Sequence, residues 1–319
     1  MKKKSIVLLG LVLFSVSFLA GVGVAQETKY PTKPINVIVP FGPGGGTDVG
    51  ARILAPFVEK ELGVSLNIIN KAGAAGWVGW TELLNSAPDG YTIGFIASPS
   101  LIPGYLDPQF KRTKNLEDFD LIANQVLDPG VIAINPQEKR FTNLKELIAY
   151  AQKNETTCAQ DGVGSDDWMA LMRFNKQYNT KFTNVATKST AESLTALMGA
   201  HVDTVFANVG ELKVPHDGKQ VKVIAVMQKE RSPFFPDIPC VKELGYEVYS
   251  SSSRGVAAPK GLKPEVKEKL VSAFEKGINN PEHISKMKGM GLDVVFMKGD
   301  QFKNHIKNDE KIVLEVKWW

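Results

Sequence analysis

The sequence predicts an α/β protein of two lobes. Strand and helix patterns alternate along nearly the whole chain, and three strands run into glycine-rich loops that open helices. The length that remains after a cleavable leader also fits two domains.

The leader comes first. Lys2, Lys3 and Lys4 precede an almost wholly apolar run from Ile6 to Ala20, and Gly23 and Ala25 are small residues at the spacing of a signal-peptidase site. The apolar run sits at the short end for a membrane span. Residues 1–25 therefore read as a signal peptide cleaved near Ala25, and the periplasm is the expected compartment. Removing 25 of 319 residues leaves 294, enough to bury a sizeable core. It also takes away three lysines and no acid, so the formal charge of +4 falls to +1. A nucleic-acid partner then has no support from bulk charge. Cys158 and Cys240 are far apart; a single bridge is open in an oxidising compartment, and two separate thiols are the expectation.

Ile35–Val39 reads as a buried strand, followed by the loop Pro40–Gly46. Thr47-Asp48 opens a helix whose apolar positions Val49, Ile53, Leu54, Phe57, Val58 and Leu62 share one face. Leu66–Ile69 is the next strand, Lys71–Gly76 the next loop, and Trp77–Ser86 the next helix. Pro88-Asp89-Gly90 turns into the strand Tyr91–Ile96. Leu121–Val126 and Val131–Ile134 are extended, Leu144–Ala151 is helical, and Thr156–Ala159 is a short strand. A third loop, Asp161–Ser165, leads into a helix from Asp166 to about Tyr178. Ser189 and Glu192 have the capping-box spacing and start a helix ending near Gly199. Val202–Phe206 and Val221–Met227 are strands, Pro264–Asn279 is an amphipathic helix, and Gln301–Trp319 is another.

The three glycine loops carry the chemistry. The first turn of a helix leaves N–H groups unpaired at the positive end of its dipole, and glycine lets a ligand approach them closely. Such ends bind carboxylate, phosphate or sulfate, each contributing about 0.3–1 kcal/mol when exposed and up to ~2 kcal/mol when partly buried. Nucleotide fingerprints do not fit, because Thr47 stands where a third glycine would be needed. The four histidines show no metal-ligand spacing, no G-x-S-x-G elbow is present, and Cys158 sits in an apolar strand. No metal, cofactor or catalytic residue is expected.

At these residues the chain resembles the Bug-type receptors, the solute-binding proteins of tripartite tricarboxylate transporters. Tyr30-Pro31-Thr32-Lys33-Pro34-Ile35 and Val39–Asp48 are similar to that family's opening. Ala87–Thr92, Arg231-Ser232-Pro233 through Pro236-Asp237-Ile238-Pro239, and Gly255–Pro259 are similar to its later motifs, so the likeness spans essentially the mature chain. The resemblance implies a type II periplasmic-binding-protein fold: two lobes with central β-sheets flanked by helices, joined by two interdomain crossings. Residues 26–126 and 250–319 would form lobe 1, and 127–249 lobe 2. It further implies a non-catalytic receptor, expected as a monomer, that delivers a small organic acid to membrane permease subunits. The acid would be a di- or tricarboxylate or an aromatic carboxylate. A sensor receptor of the same fold and an exported α/β hydrolase or transferase remain as alternatives.

By motif, the implied ligand contacts in lobe 1 are Phe41, Gly44, Gly45, Gly46, Thr47, Asp48, Asn70, Gly73, Gly76, Trp77, Ser98 and Ser100. In lobe 2 they are Gly164, Ser165, Asp166, Trp168, Thr187, Lys188 and Asn208. Asp48 is expected to cap its helix more than to touch an anion. Three departures from the family bear on the ligand. Trp77 stands where Asn is usual, Trp168 where His is frequent, and Ser252-Ser253-Arg254 where aromatic residues are frequent. Arg254 is expected to grip a carboxylate through two parallel N–H bonds. Trp77 and Trp168 either wall the cleft or pack at helix starts, and Lys188 either faces the ligand or is an ordinary solvated lysine. Asp166 and Asp167 would oppose an anion unless turned away, or unless they read an amino or hydroxyl group of the ligand.

Overall fold

The computed structural model describes residues 30–160, 162–317 and 319, so the leader expected over residues 1–25 lies outside the described residues. The chain begins with three rounds of strand, loop and helix: β1 (Ile35–Val39), α1 (Gly46–Leu62), β2 (Leu66–Asn70), α2 (Trp77–Leu84), β3 (Thr92–Ser98) and α3 (Leu101–Leu106). A long strand, β4 (Phe119–Ile134), then carries it into the second lobe. There follow α4 (Leu144–Lys153), β5 (Thr156–Gln160), α5 (Asp166–Tyr178), β6 (Phe182–Ala186), α6 (Thr190–Met198), β7 (Thr204–Asn208), α7 (Val209–Asp217) and β8 (Lys222–Val226). The return is β9 (Ser251–Pro259), and the first lobe is completed by α8 (Pro264–Ile278), α9 (Pro281–Gly289), β10 (Asp293–Lys298) and α10 (Gly299–Val316).

Among the described residues the strands run in the order β2-β1-β3-β9-β4-β7-β5-β6, with β10 and β8 also paired to β4. The alternation of strand and helix leads one to expect parallel pairing, and the structure is mixed. β1 is parallel to β2 and β3, and β5 to β6 and β7. The middle of the sheet is antiparallel, because β9 returns against both β3 and β4. β4 is one strand of 16 residues, although its sequence reads as two extended pieces. Its pairing with β10 ends at Leu127 and its pairing with β7 starts at Gly130. Pro129, which has no N–H to donate, falls at that change of partner.

Each lobe buries apolar residues on both faces of its sheet. In the first, Val37, Leu54, Val58 and Phe274 pack on one side, and Trp80, Ile96, Phe302 and Ile306 on the other. In the second the corresponding groups are built around Phe141, Phe174 and Phe206, and around Val131, Val205 and Leu212. Cys158 and Cys240 are buried and unbridged, and burial pushes the Cys158 thiol up.

Candidate ligand-binding site

The loops after β1, β2 and β5 leave the carboxyl ends of parallel strands, where open α/β sheets bind ligands. The first loop is braced from within. Gly44, at φ 79°, donates its N–H to Asp48 Oδ2 at 2.9 Å. Asp48 also accepts from Arg52 Nε (3.0 Å) and from Asn70 Nδ2 (2.9 Å), and Asn70 Nδ2 reaches the Phe41 carbonyl at 3.0 Å. Burial alone would raise the Asp48 carboxyl, but these donors hold it below the usual carboxylate range. Asp48 and Asn70 thus shape the loop. The lobes meet here through the main chain: the Gly42 N–H donates to the Lys188 carbonyl at 3.3 Å.

The second and third loops face each other. A side chain built at Gly162 (φ 102°) would come within 3.9 Å of the Ala75 nitrogen, and one at Gly164 (φ 90°) within 3.5 Å of Pro103. Gly73 (φ 134°) and Gly76 (φ 98°) give the second loop a turn that other residues rarely adopt. Between the loops lies a cavity of about 420 Å³. Phe41, Trp77, Pro103 and Phe110 form apolar wall, while Ser100, Thr187, Arg112 and Lys188 supply polar groups. Trp77 is nearly buried; its indole N–H donates to the Leu101 carbonyl at 3.2 Å, and its ring packs edge-on against Trp80. The Arg112 guanidinium lies over the Trp77 ring, 4.5 Å from its centroid. Its Nε is buried without a hydrogen-bond partner, and among the described residues no carboxylate forms an ion pair with it. Burial lowers the Arg112 pKa, yet a guanidinium stays charged. It is therefore a cation in an apolar wall with capacity for an anion.

The inner end of the cleft is already filled by the chain's own groups, and Arg254 does not present itself as expected. Its Nη1 lies 2.7 Å from Asp128 Oδ2, and its Nη2 donates to Asn208 Oδ1 (2.8 Å) and Glu211 Oε1 (3.3 Å). Glu211 Oε1 also accepts the Gly46 N–H at 3.0 Å, so a carboxylate from the second lobe sits on the helix start of the first. The crevice left among Gly45, Gly46, Thr47, Ser165, Ser252 and Arg254 is about 10 Å³, hardly the room one water needs. Burial pushes Asp128 up to about 7 against the pull of Arg254. Asp166 is likewise raised by burial, and it accepts from Ser100 Oγ (3.3 Å) and Asn208 Nδ2 (3.1 Å).

The remaining expected residues divide in the same way. Thr187 and Lys188 border the cavity, whereas Ser98 donates to Asp309 Oδ2 at 2.6 Å. Ser165 caps α5, its Oγ accepting from the Trp168 N–H at 3.1 Å. Trp168 packs in the apolar cluster with Trp80, Leu101 and Met169 rather than lining the cavity. Sequence reasoning missed Arg112, Asp128 and Glu211. A larger cavity of about 680 Å³ lies among Met169, Met227, Tyr249 and Ile312. Its arginines are committed: Arg173 donates to the Tyr249 and Glu247 carbonyls, and Arg231 pairs with Glu243. None of its lining comes from a glycine loop. Among the described residues no three His, Cys, Asp or Glu side chains gather as metal ligands.

Residues 50–315 match the model of the tripartite tricarboxylate transporter family receptor. The chain belongs to that family. The receptor is 29% identical to BugT of Bordetella pertussis over 92% of this chain and 91% of that protein. It is 28% identical to a Cupriavidus necator protein described as "UPF0065 protein in gbd 5'region", over 91% and 89% of the two chains. Among solved structures, the periplasmic binding protein BugD is similar at 27% identity and a TM-score of 0.84, covering 90% of this chain and 98% of that one. MatC of Rhodopseudomonas palustris, solved with malate, shares the fold at 22% identity and a TM-score of 0.83, over 90% and 99% of the chains. The chain is thus a solute-binding receptor with the periplasmic-binding-protein fold.

Proposed function

We propose that this receptor captures a small organic carboxylate in the 420 Å³ cavity between its lobes and delivers it to membrane permease subunits of a tripartite tricarboxylate-type transporter. The observation that carries the proposal is Arg112: a half-buried guanidinium stacked on Trp77, with no carboxylate partner among the described residues, beside two glycine loops that border one cavity. A carboxylate there gains charge-assisted hydrogen bonds in a site partly screened from water, and Trp77, though nearly buried, adds to the apolar wall beside it. The loop after β2 belongs to the first lobe and that after β5 to the second, so a ligand touching both favours the closed arrangement. We take residues 26–126 and 250–319 as the first lobe, 127–249 as the second, and the mature protein as a non-catalytic periplasmic receptor released by cleavage near Ala25.

The test is a titration of the mature protein with a panel of mono-, di- and tricarboxylates and aromatic acids, followed by tryptophan fluorescence and by melting temperature. Binding should change Trp77 emission and raise the melting temperature. If no organic acid moves either signal, the carboxylate assignment is wrong.

A further inference from the structure

The receptor has other anion-binding groups deep in its cleft, and its own carboxylates occupy them. Glu211, on α7 of the second lobe, is held through both oxygens. Oε1 takes the Gly46 N–H (3.0 Å) and Arg254 Nη2 (3.3 Å), while Oε2 takes the Asn208 N–H (3.0 Å). Its side chain is 5% exposed and that of Asp128, on the other side of Arg254, is fully buried. Asp166 lies beside them and meets Ser100, a residue that borders both the open cavity and the filled crevice. One guanidinium thus stands against three carboxylates at the inner end, while the outer cavity carries Arg112 and Lys188 with no carboxylate among the described residues of its lining.

From this placement we infer that Glu211 is a specificity-determining residue: it takes the place that a second ligand carboxylate would occupy, so the receptor selects acids bearing a single carboxylate. The inference rests on the carboxylate reading of the cavity. A diacid that put one group at Arg112 would direct the other inward, toward Glu211 and Asp166, where charge repulsion is poorly screened. It would find the Gly46 N–H already taken and Arg254 facing two carboxylates. A monoacid meets neither obstacle, and a hydroxyl at its inner end could donate to Asp166.

The experiment is calorimetric titration of the mature protein with matched pairs, benzoate against terephthalate and pentanoate against glutarate. Wild-type protein should bind the monoacid of a pair at least roughly tenfold more tightly, and Glu211→Gln, which keeps the shape and removes the charge, should narrow that ratio. A diacid that matches or exceeds its monoacid on the wild-type protein overturns this inference and leaves the carboxylate reading standing. If none of the four acids binds, the carboxylate reading falls and this inference falls with it. The wild-type comparison decides the matter even if Glu211→Gln fails to fold, which its unfolding midpoint will reveal.

Discussion

Arg254 Nη1 and Asp128 Oδ2 lie 2.7 Å apart, with both side chains buried where the antiparallel strands β9 and β4 pass between the lobes. The pair ties together the two strands that join the halves of the molecule. Removing one member leaves the other without compensation in a place water does not reach. Arg254→Ala should therefore cost about 3–5 kcal/mol of unfolding free energy above neutral pH. The loss should shrink at lower pH, because Asp128, already pushed up to about 7, then takes up a proton instead of remaining an unpaired charge. Urea unfolding at pH 5 and pH 8 checks both; a loss under about 1 kcal/mol at pH 8 would show that the pair is dispensable.

Arg112 should behave in the opposite way. With no ion pair among the described residues to lose, Arg112→Ala should leave the melting temperature nearly unchanged. Its acid affinity should fall by about 2 kcal/mol, or roughly thirtyfold, the usual worth of a hydrogen bond to a charged group. Arg112→Lys should recover part of that. Calorimetric titration reads the effect, and equal affinities for wild type and Arg112→Ala would place the anion elsewhere.

Two glycines separate backbone strain from collision. Gly76 and Gly162 both have φ near 100°, but a side chain at Gly76 would meet the Trp80 ring at 2.6 Å, whereas one at Gly162 has 3.9 Å of room. Gly162→Ala should cost on the order of 1–2 kcal/mol from the backbone alone, and Gly76→Ala clearly more. Chemical denaturation of the two variants gives the order directly, and the reverse order would count against the packing described for Trp80.

Asp120 should set an acid limb of stability. Burial would raise its carboxyl, but the Gly261 and Leu262 N–H groups and Lys267 hold it down to about 2. Its folded pKa lies below the unfolded value of about 3.9, so its contribution is complete above that value and is lost as pH falls toward 2. Melting curves between pH 5 and pH 2 should be steeper for wild type than for Asp120→Asn; parallel curves would remove Asp120 from the balance.

Much of this architecture was legible because the signals are local. Glycine runs after β1, β2 and β5 announce their loops, and Leu54, Val58 and Leu62 announce the buried face of α1. The segments that escaped notice are short or mixed in character. α7 carries Pro215 inside nine residues, and β6, α3, α9 and β10 have too few periods to stand out. The site was harder, since a side chain's partners depend on where distant segments come to rest. Arg254 reads as an open fork for a ligand until α7 brings Glu211 to within 3.3 Å and β4 brings Asp128 to within 2.7 Å. Arg112 lies in a stretch without periodicity, and only the position of the Trp77 ring beneath it marks it out. The two tryptophans could not be separated by sequence alone: Trp77 both packs and walls the cavity, while Trp168 packs only.

The contact from the Gly42 N–H to the Lys188 carbonyl is made entirely by peptide groups. At this point the tie between the two halves draws on atoms that every amino acid shares, whereas the ties from Glu211 to Gly46 and from Ser100 to Asp166 need particular side chains. Lys188 can therefore be exchanged for another residue without taking away this part of the clasp.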